Sequence, residues 1–205
     1  MSPRASLLTT ACSLLVVLGA ALVAATHLTF GWRSFITGDL RRLRVAAAPL
    51  PVSALSVVDS AGASSELWNT DPRVRAWLVT FVYTRCPSVC QALGSEFEQL
   101  QASLQPGDRV RLASLSFDRA HDSPGELAAF ARRYRADPGR WLVAVPASDA
   151  ALTRLLRETG VVVIDDGMGG YAHNAAIHVV TASGRLVALF DLEQYRAALA
   201  YARAL

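Results

Sequence analysis

The run Trp77–Tyr83, WLVTFVY, constrains this chain more than any other stretch. It is a continuous, β-rich apolar segment with no polar/apolar alternation, the pattern of a strand covered on both faces. A doubly covered strand needs helices above and below its sheet, which points to an α/β architecture. The segments around it agree. Ala54–Asp59 reads as a strand followed by a turn at Ser60-Ala61-Gly62, and Val110–Phe117 alternates like a strand. Trp141–Val145 is a further strand. Ala175–Thr181 and Arg185–Phe190 flank Ala182-Ser183-Gly184 as a hairpin. Helices are predicted over Val89–Leu104, from Pro124 to Arg135 behind a Ser123 cap, from Ser148 to about Thr159 with Gly160 ending it, and over Glu193–Arg203. Strand–helix alternation closed by a hairpin and a helix makes a three-layer α/β sandwich with a mixed sheet.

The first quarter of the 205-residue chain differs in kind. Leu7–Ala25 carries no charge and is long enough to cross a bilayer as a helix. Two readings compete, an uncleaved signal anchor and a signal peptide cleaved near Val23-Ala24-Ala25. The anchor is preferred, because the apolar run exceeds the ~7–15 residues of a signal h-region. Cys12, inside the run, reads as a small apolar residue. The expected organisation is an anchor or signal segment over residues 1–27, a linker over 28–51 and a folded domain over 52–205.

All 20 basic residues are Arg, against 17 acids, for a net charge of +3. The distribution removes nucleic acid as a partner. Residues 1–50 hold five Arg and one Asp, whereas residues 51–205 hold 15 Arg and 16 acids. The basic excess flanks the apolar segment, where it can meet anionic headgroups. Arg33, Arg41, Arg42 and Arg44 follow that segment and only Arg4 precedes it, yet long domains translocate largely regardless of charge. The domain is therefore expected on the exported side.

The chemistry is concentrated in three side chains. Cys86 and Cys90 sit where the buried strand turns into a helix. A helix N-terminus offers free N–H groups and partial positive charge, which favours thiolate. Spacing of i, i+4 puts both sulfurs on one side of the first turn. Such a pair can close a disulfide or hold a soft metal such as Cu(I), and the sulfurs alone do not decide between them. Of the four His, His27 reads as interfacial, His121 as a solvated loop residue and His178 as a sheet-packing residue. His173 closes a glycine-rich approach, GMGGYAHN, that can hold an imidazole over a neighbouring loop.

VTFVYTRCPSVC resembles the cysteine motif of the Sco/SenC family, usually YFGYTxCPDVC. SFDRAHDSP is similar to its VDPxRDTP segment, HNAAIHVVTASG to its HxxxxYLxxPDG segment, and ALSVVDSAG to its opening LxDxxG. The order matches from about Val52 to Leu192, behind an N-terminal anchor. The resemblance implies a thioredoxin-like fold in which Cys86, Cys90 and His173 bind one copper ion. It implies a membrane-anchored metallochaperone that delivers copper to the binuclear copper centre of cytochrome c oxidase, or keeps that centre's cysteines reduced, from the periplasmic side of the inner membrane. Its partner would be the oxidase copper-centre subunit or another copper or thiol protein. Ser88, Gln91, Ala172, Ala120 and His121 depart from the family pattern, marking a divergent member. Asp118 and Asp122 remain, either to orient or tune the site or, for Asp122, to cap the helix.

A thiol–disulfide oxidoreductase using Cys86 and Cys90 as its redox pair is the alternative from another class; it does not need His173. A peroxidase, a structural Cys86–Cys90 disulfide and a zinc site are weaker readings, the last because a closed zinc site needs a fourth ligand.

Overall fold

A computed structural model describes residues 3–32, 37–68, 71–86 and 89–205, with the side chains of residues 3–9, 37, 89 and 90 outside the description. The chain divides into two compact units, Met1–Arg44 and Val45–Leu205. The first is dominated by α1 (Pro3–Leu28), within which Thr10–Leu28 is long and apolar enough to cross a membrane. The hydroxyl of Thr26 near its end donates to the Leu22 carbonyl, so this polar group is satisfied inside the helix itself. The stretch read as a linker contains α2 (Thr37–Ala47), with Asp39 in its first turn and Arg44 in its last, the polarity that complements a helix dipole.

The second unit is built on one eight-stranded mixed sheet. In chain order it contains β1 (Leu50–Pro51), β2 (Leu55–Asp59), β3 (Ser64–Leu67), β4 (Ala76–Val82), α3 (Val89–Ser103), β5 (Val110–Ser116), α4 (Pro124–Arg133), β6 (Trp141–Pro146) and α5 (Asp149–Thr159). A short separate hairpin follows, β7 (Val163–Asp165) and β8 (Tyr171–His173), then β9 (Ile177–Thr181), β10 (Arg185–Phe190) and, after one 3-10 turn, α6 (Tyr195–Arg203). The strand order is β1-β10-β9-β4-β5-β6-β2-β3. β4, β5 and β6 run parallel, and every other pairing in the sheet is antiparallel. The expected α/β sandwich with a mixed sheet is the one found.

The apolar run from Trp77 forms most of β4, between β5 and β9, and all seven residues of that strand are buried. α3 and α6 pack on each other and on β4, while α4 covers β6 and β2. α5 reaches both β1 and β2, which stand near opposite ends of the strand order, so the sheet curls. Local signals explain the helix ends. Ser123 caps α4 by accepting the Glu126 N–H, with Pro124 at the first helical position, and Ser148 caps α5 by accepting the Ala151 N–H at 3.1 Å. Gly160 ends α5 in the left-handed conformation, φ 67°. Thus α4 stops at Arg133, two residues short of the predicted end, and the last helix begins at Tyr195 behind the 3-10 turn.

One helix contact has no tolerance for a side chain. Tyr134 lays its ring against Gly94 of α3, where a Cβ would lie 2.4 Å from the ring. Adding atoms to a packed site forces neighbours off their rotamers, at about 1–3 kcal/mol. Gly94→Ala should therefore lower the unfolding free energy by about that amount. Chemical denaturation would show it as a shifted midpoint at constant slope; an unchanged midpoint would mean the Tyr134 ring moves aside freely.

Candidate metal centre

Because β4 and β5 are parallel, the segments that follow them emerge at the same end of the sheet. The first is Tyr83-Thr84-Arg85-Cys86, tightened by a turn in which the Cys86 N–H donates to the Tyr83 carbonyl at 3.2 Å. The second is Phe117–Asp122. Two buried carboxylates of the second segment hold the first in place. Asp122, 1% exposed, accepts the Thr84 N–H at 2.9 Å, the Thr84 hydroxyl at 2.6 Å and the Ser116 hydroxyl at 2.6 Å. Asp118, 2% exposed, pairs with the Arg85 guanidinium at 2.9 Å and with His121 Nδ1 at 2.8 Å. Burial pushes the Asp118 carboxyl up, but the hydrogen bonds from Arg85 and His121 outweigh it and hold the carboxyl below the usual range.

Ser123, not Asp122, caps α4, and Asp122 orients the loop that carries Cys86. His121 is half exposed, as a loop residue, yet it is tied to Asp118 instead of being free in solvent. The thiol of Cys86 is buried, 6% exposed. Cys90 is the second residue of α3, in its first turn, and its side chain lies outside the described residues, as do Pro87 and Ser88 altogether. Cys12 is exposed on α1, and His178 is a sheet-packing residue, buried with its ring 5.0 Å from that of Phe81.

His173 ends β8, in a hairpin where the glycine-rich approach predicts a loop. The turn signal is Asp165-Asp166-Gly167-Met168-Gly169-Gly170, which joins β7 to β8. The Asp166 carboxylate accepts the N–H groups of Met168 and Gly170, bonds that hold it below the usual carboxylate range. Gly167 and Gly169 take φ of 72° and 86°, which few other residues adopt. Asn174 fastens the base of the hairpin, accepting the Val162 N–H and donating to the Gly160 carbonyl. At its inner edge the His173 ring packs against Phe117 with centroids 5.1 Å apart. His173 therefore stands at the same end of the sheet as Cys86.

The state of that imidazole is informative. Burial pushes its pKa down, keeping it neutral. Both ring nitrogens are buried, and neither has a hydrogen-bond partner among the described residues. A buried polar group left without a partner costs about 1–3 kcal/mol, so a neutral imidazole with an open lone pair is suited to a ligand that supplies the missing bond. A soft thiol on the adjacent loop makes the donor set one of sulfur and nitrogen, which fits copper or zinc and not a hard oxygen-seeking cation. Among the described residues no three His, Cys, Asp or Glu side chains converge as a cluster, a statement that does not include the side chain of Cys90.

Comparison with known proteins bears on this arrangement. The SCO1 protein homolog of Bacillus subtilis (strain 168) is 25% identical over 114 residues, covering 54% of this chain; the chain spans 59% of that protein. The structure of Bradyrhizobium japonicum ScoI with copper bound superposes with a TM-score of 0.62 at 20% identity, over 75% of this chain and 98% of that one. BsSco, a member of the Sco family of cytochrome c oxidase assembly proteins in which a disulfide switch was identified, superposes with a TM-score of 0.63 at 19% identity, over 77% and 96%. These likenesses establish the fold as that of the Sco proteins, the expected thioredoxin-like sandwich. The SCO1/SenC family profile matches residues 53–203, nearly the whole of the second unit. The chain belongs to the SCO1/SenC family.

Proposed function

We propose that this protein is a copper chaperone that carries one copper ion on Cys86, Cys90 and His173 and passes it to the binuclear copper centre of cytochrome c oxidase. The observation that carries the reading is His173: a neutral, buried imidazole whose two nitrogens have no partner among the described residues, at the sheet end where the Cys86 loop emerges. The copper-bound relative supports copper over zinc. Two thiolates suit Cu(I), and an imidazole added to them accommodates Cu(II). Three ligands leave a position through which a partner's ligand can enter. Loading requires both thiols reduced, so disulfide formation and copper binding exclude each other. Residues 1–27 would anchor the chain as a single-pass helix in the inner membrane, residues 28–51 would link it, and the domain from residue 52 would work on the periplasmic side.

A thiol–disulfide oxidoreductase remains the second reading, supported by the disulfide switch of the related BsSco. Copper titration of the reduced full-length protein separates the two. One equivalent of copper should bind in either oxidation state, and His173→Ala should lose the Cu(II) charge-transfer bands while keeping Cu(I). Unchanged Cu(II) bands in that variant would remove His173 from the ligand set. Turnover on a disulfide substrate, undiminished in His173→Ala and with no copper retained, would establish the oxidoreductase instead.

The seating of the Cys86 loop is separately testable. Asp122→Ala strips the carboxylate from Thr84 and Ser116, leaving the buried Ser116 hydroxyl without its acceptor, at about 1–3 kcal/mol, while the half-buried Thr84 donors can turn to water. The variant should be less stable by about that amount, and its Cys86 thiol should react severalfold faster with a maleimide, with Asp122→Asn intermediate. Wild-type thiol reactivity in Asp122→Ala would show that the loop is held by something else.

A further inference from the structure

One residue touches both ligand-bearing segments. The carbonyl of Tyr83 accepts the Cys86 N–H and so forms part of the turn that seats the thiol. Its hydroxyl, 88 positions away in sequence from its partner, accepts the Tyr171 N–H at 3.2 Å and donates to the Tyr171 carbonyl at 3.4 Å. Its ring stands edge-on to that of Tyr171, centroids 5.2 Å apart, and packs on Phe117 at 5.4 Å. Tyr171 lies two residues before His173 on β8, so their side chains share a face of the hairpin. Both rings accordingly meet Phe117, at 5.6 Å and 5.1 Å. The fit at the hydroxyl is close: a Cβ on the neighbouring Gly170 would lie 3.4 Å from it.

His173 itself makes no hydrogen bond to the described residues that would fix where its ring stands. Its position is inherited from the hairpin, and the hairpin is fastened to the thiol loop at Tyr83. We infer that Tyr83 is a positioning residue that sets the separation between Cys86 and His173 through its hydroxyl, and that it thereby governs how well the site accepts the oxidation state that needs the imidazole. This rests on the three-ligand reading above. Cu(I), held by the two thiolates, is indifferent to the fastening. Cu(II), which draws on His173, depends on it.

Tyr83→Phe keeps the ring and removes only the hydroxyl. In the metal-free full-length protein, hydrogen exchange at the Tyr171 amide should quicken. In copper titrations, Cu(II) affinity should fall about 3–10-fold, the worth of one ordinary hydrogen bond, while Cu(I) affinity stays within about twofold. The double variant Tyr83→Phe/His173→Ala should bind Cu(II) no more weakly than His173→Ala, because the effect of Tyr83 runs through the imidazole. Equal losses of Cu(I) and Cu(II) affinity would overturn the inference, since they would make Tyr83 a general support of the fold. So would additive losses in the double variant, or exchange and Cu(II) affinity both at wild-type values. Wild-type Cu(II) binding in His173→Ala is a different failure: it sinks the ligand reading and, with it, the inference.

Discussion

Asp118 and Asp122 are buried at the end of β5, and a carboxylate is tolerable there only when its charge is met by hydrogen-bond donors. The donors come from the Thr84–Arg85 segment, from Ser116 and from His121. Leaving any of these contacts would strand a charge in the interior, so the conformation of the loop that ends in Cys86 is fixed by the cost of its alternatives. The parallel pairing of β4 and β5 makes this possible, because it delivers acceptors and donors to one end of the sheet in register.

The other half of the site is held by different physics. Tyr83, Phe117 and Tyr171 surround the approach to His173 with rings, and among the described residues the polar contacts there run to the backbone of the hairpin, not to the imidazole. A carboxylate network gives the thiol side rigidity, whereas the imidazole side takes its position at second hand, from aromatic packing and from the hold of the Tyr83 hydroxyl on the hairpin backbone.

Features governed by local physics were legible in the sequence. The apolar run Trp77–Tyr83, the Ser123-Pro124 cap and the Ser148 and Gly160 boundaries each carry their own cause within a few residues, and each forms as read. Features governed by distant partners were not. β3, SSEL, has no alternation and is a strand because β2 lies beside it. β1 is two residues laid on β10. The pairing of His121 with Asp118 depends on how one loop folds back, and the Tyr83–Tyr171 fastening joins segments 88 positions apart. Spacing and resemblance point to the three candidate ligands, but that the His173 nitrogens lack a partner among the described residues depends on packing that no pattern displays.

The two outer strands of the eight-stranded sheet have a consequence for recognition. β1 offers two residues, one of them Pro51 with no N–H to give, and β3 offers four, three of them exposed Ser64, Ser65 and Glu66. An edge that is short, proline-bearing or charged is a poor template for an incoming strand. A partner protein is therefore denied the commonest backbone-driven mode of attachment to this sheet and is left to read the surface by side chains and loops. Loop contacts release more readily than an added strand.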